Sequence, residues 1–478
     1  MKFYYLLLVL STILYGKPES PNIIFLVTDD QGWGDVGYNG HPVIKTPHLD
    51  KMAKEAVRLD RFYATSSVCS PSRASCLTGR NNWRLGIATP ANSNWHLNAK
   101  EITIAEAVKA KGYKTAHFGK WHIGGFTEEK SPGHKMTPGM AGFDYWFSTP
   151  NVLPTYDPYK KGYKSGKYEM YWENGRNITL EEGRKRDDLK GDDAKFLMDK
   201  ALNYIEKRVE DKEKFLIYFC FHNVHTPLGT IPEFSEQYSD VKDSVVYSSN
   251  VSAVDAQVGR MRAELRRLGI AENTMLWFTS DNGPNLKGKK SIRHGEAQGG
   301  KFNYTPIGST GAYRGYKRSL YEGGVRVPGL IEWPALIKKP FNSAYACNMV
   351  DWFPTVMDAL DIALPTDREI DGLSLIPFFK SGGAIQHRGE DMGFFCQGWA
   401  AWSGDRFKIV RVSKKGKWEM YDLRDDPFEE KDIASMMPEK FNEMKKAFDA
   451  WGESCQKDEL KVVNEYKKIT KNPRKKSK

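Results

Sequence analysis

The sequence predicts an α/β protein, with a large, mostly parallel β-sheet sandwiched by helices and a small C-terminal α+β subdomain. Short continuous apolar runs alternate with amphipathic helical segments through most of the chain. This alternation is typical of parallel strands that are covered on both faces. From about residue 385 the pattern changes to paired strands and a closing helix. The length of 478 residues suits one large domain with a smaller companion.

Apolar runs of strand length predict the sheet. The four runs in the larger region are NIIFLVT (22–28), KTAHFG (114–119), KFLIYFCF (214–221) and TMLWFTS (274–280). Their shortness and their content of β-branched and aromatic residues favour buried strands over helices. In the C-terminal region, RFKIVRVSKKGKWEMYDL (406–423) predicts two antiparallel strands around a turn at Lys415–Gly416.

Apolar residues at helical spacing predict the helices. In TPHLDKMAKEAVRL (46–59), Thr46–Pro47 is a good start signal, and the residues that share one helical face are Leu49, Met52, Ala53, Ala56 and Val57. The other predicted helices are ITIAEAVKAKGY (102–113, ending at Gly112), AKFLMDKALNYI (194–205), the stretch 254–268 and the closing PEKFNEMKKAFDAWGESC (438–455). Residues 155–190 are polar and irregular, which predicts an insertion over one edge of the sheet.

The N-terminus indicates export. MKFYYLLLVLSTILYGKPES has a positive Lys2, an apolar run of 13 residues and Gly16, a pattern typical of a secretory signal and too short for a membrane span. A buried first strand is the alternative.

The chain divides into four predicted parts. We expect a signal peptide (1–17), a catalytic α/β domain (18–380), a C-terminal subdomain (381–465) and a basic tail (466–478). The mature protein would be periplasmic or secreted, or lysosomal in a eukaryote, without stable membrane insertion.

The charge balance favours a polyanionic partner, and the alternative, preferred for the tail alone, is a solvated surface with a disordered basic tail. Lys and Arg number 71 against 60 Asp and Glu, for a net charge of +11. An exported protein seldom meets nucleic acid, so we expect no nucleic-acid partner and favour a sulfated or carboxylated polysaccharide.

Six cysteines are too sparse for a disulfide scaffold. On one helix, Cys69 and Cys76 would lie about 10 Å apart, beyond the reach of a disulfide.

Acidic turns follow two of the predicted strands. The run 22–28 leads into DDQGWGD, and 274–280 into DNGPN. Ligands gather at the carboxyl ends of strands in open α/β sheets. Asp29, Asp30, Asp281 and Asn282 would supply hard oxygen ligands, suited to Ca²⁺ or Mg²⁺ rather than zinc. The alternative is a pair of Asp-rich turns that cap helices.

Cys69 stands at the predicted start of a helix. Pro71 suits the first turn, and the helix would run through SRASCLTG. Backbone N–H groups at such a terminus bind anions, and Arg73 adds a positive charge one turn on. We expect this setting to depress the pKa of the Cys69 thiol and make it a nucleophile that faces an anionic substrate.

Further basic side chains follow the other predicted strands. Lys120 and His122 stand two apart after KTAHFG, and on an extended segment they would point the same way. His222 and His225 follow the strand 214–221, and Lys317 precedes a glycine turn. A structural role is the alternative for each one alone. Their accumulation after strands favours a site for an anion and a metal.

These motifs resemble a known family. CSPSR (69–73) followed by LTGR (77–80) is similar to the signature of the type I, formylglycine-dependent sulfatases of the alkaline phosphatase superfamily, and residues 112–124 resemble their second signature. The resemblance covers roughly residues 20–435 and includes FTSDNGP, YEGGVRVPGLIEWP and MYDLRDDPFEE. Within the family, the chain looks like the arylsulfatases and N-acetylgalactosamine-6-sulfatases.

The resemblance implies a covalent mechanism. Such a cysteine is oxidised by a formylglycine-generating maturation enzyme, and the hydrate of the resulting aldehyde carries two hydroxyls. One hydroxyl attacks sulfur to form a sulfate ester, and the other then collapses to the aldehyde and expels sulfate. A serine has no second hydroxyl to lose, so its sulfate ester would stay attached.

The resemblance also implies roles for the matching positions. Asp29, Asp30, Asp281 and Asn282 would bind the metal, usually Ca²⁺. Arg73 and Lys120 would stabilise the deprotonated hydrate, and His122 would be the base for collapse. His225 and Lys317 would bind the sulfate and assist the leaving alcohol. His222 is expected to be structural.

The leading hypothesis is an exported sulfatase acting on a carbohydrate sulfate ester. The alternatives are a formylglycine-dependent phosphonate or phosphate ester hydrolase and an inactive protein that binds sulfated glycans.

Some further residues have two interpretations. Four of them are candidates for binding sugar rings, with loop packing as the equal alternative: Trp83, Arg84, Trp95 and His96. The sulfate-contacting serine of arylsulfatases has no clear counterpart, and Ser148 and Asn151 are the candidates. Arg80 and Glu322 are expected to hold loops by ion pairs.

Overall fold

The computed structural model describes residues 19–90, 96–129, 133–161, 170–286, 292–297 and 300–460. The expected signal peptide (1–17), the basic tail (466–478) and Trp95 lie outside the described residues. Within this part of the chain, no helix combines the length and the apolar composition that crossing a bilayer requires.

The described strands are, in chain order, β1 (Asn22–Thr28), β2 (Val57–Leu59), β3 (Phe62–Tyr63), β4 (Lys114–Lys120), β5 (Tyr145–Thr149), β6 (Trp172–Glu173), β7 (Arg176–Asn177), β8 (Phe215–Cys220), β9 (Thr274–Ser280), β10 (Ile292–Ala297), β11 (Gly300–Thr305), β12 (Gly308–Gly311), β13 (Arg326–Val327), β14 (Gly329–Glu332), β15 (Phe341–Ser343), β16 (Cys347–Asn348), β17 (Met392–Cys396), β18 (Trp399–Ser403), β19 (Phe407–Arg411) and β20 (Trp418–Asp422).

The described α-helices are, in chain order, α1 (Pro47–Glu55), α2 (Cys69–Thr78), α3 (Ile104–Val108), α4 (Leu180–Lys185), α5 (Asp193–Glu210), α6 (Pro232–Ser235), α7 (Val245–Arg267), α8 (Glu322–Val325), α9 (Trp352–Ala359), α10 (Ile376–Lys380) and α11 (Pro438–Lys457).

One large sheet forms the framework of the protein. Its ten strands run in the order β15-β2-β14-β9-β1-β8-β4-β5-β6-β7. The five central strands, from β9 to β5, are parallel to their neighbours, whereas β14 and β6 pair antiparallel on either side. The predicted parallel sheet therefore forms the centre of a larger mixed sheet. The central strands end at the same edge, which brings their following turns together.

Helices cover both faces of this sheet. Alternate residues of β1 point to opposite sides: Phe25 packs in the apolar cluster that includes α2, α3 and α9, and Leu26 packs in the cluster that includes α1, α5 and α7. All seven residues of β1 and of β9 are buried. Burial on both faces explains why these strands read as continuous apolar runs. The predicted α/β fold class is confirmed.

The C-terminal region adds a four-stranded antiparallel sheet in the order β17-β18-β19-β20. The predicted hairpin is β19 with β20, and α11 covers one face of this sheet through Met444 and Phe448. The polar insertion adds β6 and β7 to the edge of the large sheet beyond β5. One boundary of the prediction was wrong, because Val57 and Leu59 lie in β2 rather than in a continuation of α1.

A buried ionic network joins the C-terminal sheet to the larger region. The ammonium group of Lys408, on β19, lies 2.8 Å from Glu322 and 2.9 Å from Glu429. Glu322 also accepts a hydrogen bond from the Tyr63 hydroxyl at 2.8 Å. Burial raises the pKa of Glu429 to about 7, while Lys408 overcomes burial and lowers the pKa of Glu322 to about 2. Glu322 has a second charge partner in Arg326 at 3.4 Å, so Glu429 is the carboxylate that depends most on Lys408.

We expect Lys408→Met to lower the free energy of unfolding by about 3–5 kcal/mol, because removing the ammonium leaves Glu429 buried without its counter-charge. Urea denaturation followed by tryptophan fluorescence measures the change. Lys415→Met, at the exposed hairpin turn, is the matched control and should stay within about 0.5 kcal/mol of the parent. A loss below about 1 kcal/mol for Lys408→Met would show that the network does not hold the two regions together.

Candidate functional site

Turns from four neighbouring parallel strands meet at one edge of the large sheet. Asp29 and Asp30 follow β1, and Asp281 and Asn282 follow β9, which pairs directly with β1. Lys120 is the last residue of β4. The loop after β8 carries His222 and His225, and α2 enters the same region from the chain after β3. The structure therefore brings the predicted site residues together at the carboxyl ends of the strands.

Cys69 is the first residue of α2, as the sequence predicted. Val68 is extended at the N-cap position, and Pro71 stands in the first turn, where its missing N–H costs nothing. Every residue of this helix is buried. The helix ends at Gly79, whose φ of 68° is a left-handed conformation that favours glycine. The thiol therefore sits at a buried helix N-terminus, where backbone N–H groups and the helix dipole favour an anion.

The acidic turns contact each other across β1 and β9. The Asn282 side-chain amide donates to Asp30 Oδ1 at 2.7 Å, and the Asp30 backbone N–H donates to Asp281 Oδ1 at 3.2 Å. Asp30 has a φ of 62°, a strained backbone for a residue with a side chain. This backbone turns consecutive carboxylates, Asp29 and Asp30, into the same cluster.

Three buried cations face these carboxylates. Lys120 Nζ lies 2.5 Å from Asp29 Oδ2, and Arg73 Nη2 lies 2.7 Å from Asp281 Oδ2. Lys317 forms an ion pair with Asp30 and also lies 3.6 Å from the Cys69 sulfur. Arg73 is further fixed by a 2.9 Å hydrogen bond to the carbonyl of Lys120. Each cation is thus held by a carboxylate, and Lys317 also lies beside the thiol.

The donor set fits a hard divalent cation. Ligand atoms of Asp29, Asp30, Cys69 and His225 all lie within 4.8 Å of one another. Asp29 Oδ1 and Asn282 Oδ1 are buried and have no hydrogen-bond partner within the described chain. Buried oxygens are rarely left unpaired, and oxygens of this kind are ligands for Ca²⁺ or Mg²⁺. Both oxygens of Asp281 are already engaged, one by Arg73 and the other by the backbone of Asp30.

Burial and neighbouring charge set the pKa values of the cluster. Burial alone would raise the pKa of Asp29, but Lys120, with His225 and Arg73, lowers it well below its usual value. Burial and the charge of Asp29 raise the pKa of Asp281 to about 6. Asp29 is thus the firmly ionised carboxylate of the cluster.

The expected reactivity of the Cys69 thiol was wrong. Burial raises its pKa to about 12 and outweighs the favourable charges of Lys120 and Lys317. Cys69 is only 1% exposed. The cost of desolvating a thiolate therefore exceeds the stabilisation that the helix N-terminus and the cations provide. An unmodified Cys69 is therefore a poor nucleophile.

Three histidines lie in this region with different surroundings. Burial and then Lys120 lower the pKa of His122 well below its usual value, and its Nδ1 has no hydrogen-bond partner within the described chain. His122 has a φ of 60°, so it follows a turn rather than the extended segment that the two-residue spacing assumed. His225 Nε2 lies 3.6 Å from Asp30 Oδ2. Both nitrogens of His222 are occupied, by Asp193 at 2.8 Å and Thr149 at 2.7 Å, as expected for a structural residue.

The remaining sequence candidates have packing partners. Ser148 is buried and bonds the ring of His117 at 2.6 Å. Arg80 forms an ion pair with Glu101 at 3.0 Å, so the expected loop-holding contact is present. Trp83 stacks on Phe395 with the ring centroids 4.4 Å apart, and Arg84 pairs with Asp371 at 2.9 Å. His96 bonds the carbonyl of Leu97 at 2.8 Å. The described contacts favour loop packing for Trp83 and Arg84.

Sequence reasoning passed over Arg318, the residue after Lys317. It is exposed, and its backbone N–H donates to the carbonyl of Ser67 at 2.9 Å, two residues before Cys69. Its position in the basic and aromatic run RGYKR (314–318) was the available signal. The aromatic neighbour Trp399, from the C-terminal sheet, could only be found from the folded structure.

The fold and the site together define an α/β protein that gathers a helix-terminal cysteine, three buried cations and an acidic cluster at one sheet edge. This is the organisation of an enzyme that acts on an anionic ester. Residues 21–362 match the family model described as Sulfatase, and residues 311–451 match one described as N-sulphoglucosamine sulphohydrolase, C-terminal.

Known proteins agree with this assignment. N-acetylgalactosamine-6-sulfatase of Mus musculus is 32% identical over 394 residues, which cover 79% of this chain and 70% of that protein. Steryl-sulfatase of Rattus norvegicus is 30% identical over 450 residues, with 80% and 74% covered. The crystal structure of Ps i-CgsB has a TM-score of 0.79 at 25% identity and covers 95% of this chain and 98% of that chain. The chain therefore belongs to the sulfatase family, and it is a sulfuric ester hydrolase.

Proposed function

We propose that the protein is an exported sulfatase that removes sulfate from a carbohydrate, with the modified Cys69 as its nucleophile. The observation that carries this proposal is the position of Cys69, at a buried helix N-terminus with Lys317 3.6 Å away and within 4.8 Å of the Asp29, Asp30 and His225 ligand atoms. The reaction adds water across the ester, so that the sugar regains a hydroxyl and inorganic sulfate leaves.

The charge inventory of the site suits a sulfate ester. Asp29, Asp30 and Asp281 face Arg73, Lys120 and Lys317, so carboxylates and cations are present in equal number. A divalent cation held by this cluster would leave an excess of positive charge in a buried site, which an anionic substrate would balance. Asp29, Asp30 and Asn282 would hold the cation, with Asp281 beside them. When bound, Ca²⁺ would supply Lewis-acid stabilisation of the negative charge that develops in the reaction.

Side chains of the site would stabilise charge, transfer protons and bind the sulfate. Arg73 and Lys120 would stabilise negative charge at the nucleophile, because both are buried and fixed. His122 would accept a proton, since its lowered pKa keeps the imidazole neutral and Nδ1 is unpartnered. Lys317 and His225 lie beside the thiol and would bind sulfate oxygens, with one of them donating a proton to the departing alcohol.

Two features support a carbohydrate substrate. The names of similar proteins include N-acetylgalactosamine-6-sulfatase, although a steryl-sulfatase is similar to nearly the same extent. The second family model also describes an enzyme of an amino sugar, N-sulphoglucosamine sulphohydrolase. The N-terminal pattern supports export, and a formylglycine-generating enzyme of the host would be the maturation partner.

The first test is anion release from a panel of sulfated mono- and oligosaccharides, with an aryl sulfate, a steryl sulfate and matching phosphate and phosphonate esters beside them. The protein is matured to formylglycine and supplied with Ca²⁺. We expect sulfate release from a sulfated sugar and none from Cys69→Ala. Ion chromatography distinguishes sulfate from phosphate.

Other outcomes of the panel would contradict the proposal. Phosphate or phosphonate cleavage that exceeds sulfate release would favour the ester hydrolase alternative. Binding of sulfated sugars without release by fully converted protein would indicate an inactive binder. Preference for the steryl sulfate would retain the sulfatase and reject the carbohydrate substrate.

A further inference from the structure

A cavity of about 530 Å³ lies beside the proposed catalytic site. The loop 314–319 forms one of its walls, and Gln397 and Trp399 of the C-terminal sheet form another. Lys317 belongs to this cavity and also to the catalytic cluster, because its ammonium group pairs with Asp30 and lies 3.6 Å from the Cys69 sulfur. A substrate whose sulfate contacts Lys317 could therefore extend into this space.

The cavity is positively charged. Arg314, Lys317 and Arg318 line it, and none of the described residues that line it is acidic. Arg314 donates to the Tyr421 hydroxyl at 2.8 Å and lies 3.8 Å from a carboxylate oxygen of Glu419, and Lys317 pairs with Asp30, so the charges of both are compensated within the protein. Arg318 is exposed and forms no ion pair within the described part of the chain. Its guanidinium is thus available for an anionic group that comes from outside the protein.

The walls also offer aromatic surface. Trp399 is half-buried and contacts Tyr321 edge-to-face, with the ring centroids 5.9 Å apart. Arg314 in turn lies 3.9 Å from the centroid of the Tyr321 ring. Tyr316 is 39% exposed at the rim. Rigid aromatic faces beside cations provide the apolar and polar contacts that a charged sugar ring requires.

The backbone holds this arrangement in place. Arg318 has a φ of 79° and Gln397 a φ of 49°, both in the left-handed region that non-glycine residues seldom adopt. The Arg318 N–H bonds the carbonyl of Ser67 at 2.9 Å, which ties the cavity wall to the segment that leads into Cys69. Strain of this kind persists where the surrounding structure fixes it, and it clusters at ligand sites.

We propose that this cavity binds an anionic group of the substrate other than the sulfate being cleaved, with Arg318 as its charge partner and Trp399 as the surface for its sugar ring. The inference rests on the proposed carbohydrate sulfatase function and deepens it. The substrate class becomes a saccharide with at least two anionic groups, the second being a sulfate or a carboxylate.

The test compares the effect of Arg318→Gln on three substrates of the matured enzyme. They are a monosulfated N-acetylhexosamine, its disulfated counterpart, and the same monosulfated sugar linked to a uronic acid. We expect the preference for the doubly anionic substrates, taken as the ratio of kcat/KM values, to fall by about ten- to a hundredfold, mainly through KM. The control Lys446→Gln removes an exposed cation from α11, on the other face of the C-terminal sheet, and should leave the ratio unchanged.

The three substrates separate the possible results. A fall for the disulfated sugar alone identifies a second sulfate, a fall for the uronic acid alone identifies a carboxylate, and a fall for both identifies a general anion site. Trp399→Ala should raise KM for the same substrates. An unchanged ratio in Arg318→Gln, with the parent enzyme active, overturns this inference alone. Failure of the parent enzyme to hydrolyse any sulfated sugar removes the proposed function and this inference with it.

Discussion

Cys69→Ser is expected to abolish repeated release of sulfate, with a loss of about four orders of magnitude or more in turnover, and to leave one sulfuryl group on the protein. The introduced hydroxyl would stand at the N-terminus of α2 beside Lys317, where the substrate sulfur is proposed to bind. It can attack once, but it has no second hydroxyl on the same carbon through which the ester could collapse. Intact-protein mass spectrometry after incubation with substrate measures the retained group.

One control variant makes this prediction specific. Cys69→Ala should be equally inactive but should retain no sulfuryl group, because it has no nucleophile. Both substitutions are close in size to the original thiol, so the buried helix should keep its packing. Steady turnover by Cys69→Ser at a rate near that of the parent would show that the two-hydroxyl mechanism is wrong for this protein.

The unmodified parent protein should lack turnover, as these two variants do. Burial raises the pKa of the Cys69 thiol to about 12, so at neutral pH very little thiolate is available to attack. Protein made in a host without a maturation enzyme should therefore be inactive, although it carries every other residue of the site. The comparison separates the contribution of the modification from that of the surrounding charges.

The central strands could be predicted because burial on both faces produces a simple apolar pattern in the sequence. Residues 22–28 and 274–280 were predicted with the bounds that the structure shows, since strands buried on both faces need apolar residues at nearly every position. The short flanking strands carry no such signal. β2 and β15 have three residues each and pair with partners far away in the chain. Val57 and Leu59 also fit the helical spacing of α1, so only tertiary pairing decides their conformation.

The candidate site was predictable to the extent that it depends on positions after strands. Asp29 and Asp281 follow β1 and β9, and Lys120 is the last residue of β4. The order of these parallel strands brings such positions to the same edge of the sheet. The pKa of Cys69 depends instead on how completely α2 is covered, which spacing in the sequence does not report. The cavity beside Lys317 needs Trp399 from a sheet that lies far along the chain, so its existence follows only from the folded arrangement.

Removing divalent cations from the matured enzyme is expected to abolish sulfate release, and adding Ca²⁺ should restore it. The physical reason is the buried acidic cluster, in which Asp29 Oδ1 and Asn282 Oδ1 have no hydrogen-bond partner within the described chain. Without a cation these oxygens are desolvated and unpaired, which is costly. Activity and thermal melting are measured after treatment with a chelator and again during titration with Ca²⁺ or Mg²⁺.

Asp30→Asn tests the same cluster without a chelator. It keeps the shape of the side chain but removes a charge that faces both the proposed cation and Lys317. Outer-shell partners of a metal site are worth about 10–100-fold in affinity, so a direct ligand should be worth at least about a hundredfold. The Ca²⁺ concentration for half-maximal activity should rise accordingly, and the Ca²⁺-dependent rise in Tm should shrink.

Asp187→Asn removes a carboxylate that is 89% exposed and serves as the matched control, with an unchanged Ca²⁺ titration. The Tm readout matters because it reports cation binding even in a variant whose turnover is lost. If chelation left both activity and Tm of the parent unchanged, the unpaired oxygens would have to be satisfied in another way, and the three cations Arg73, Lys120 and Lys317 would have to stabilise the sulfate without a metal.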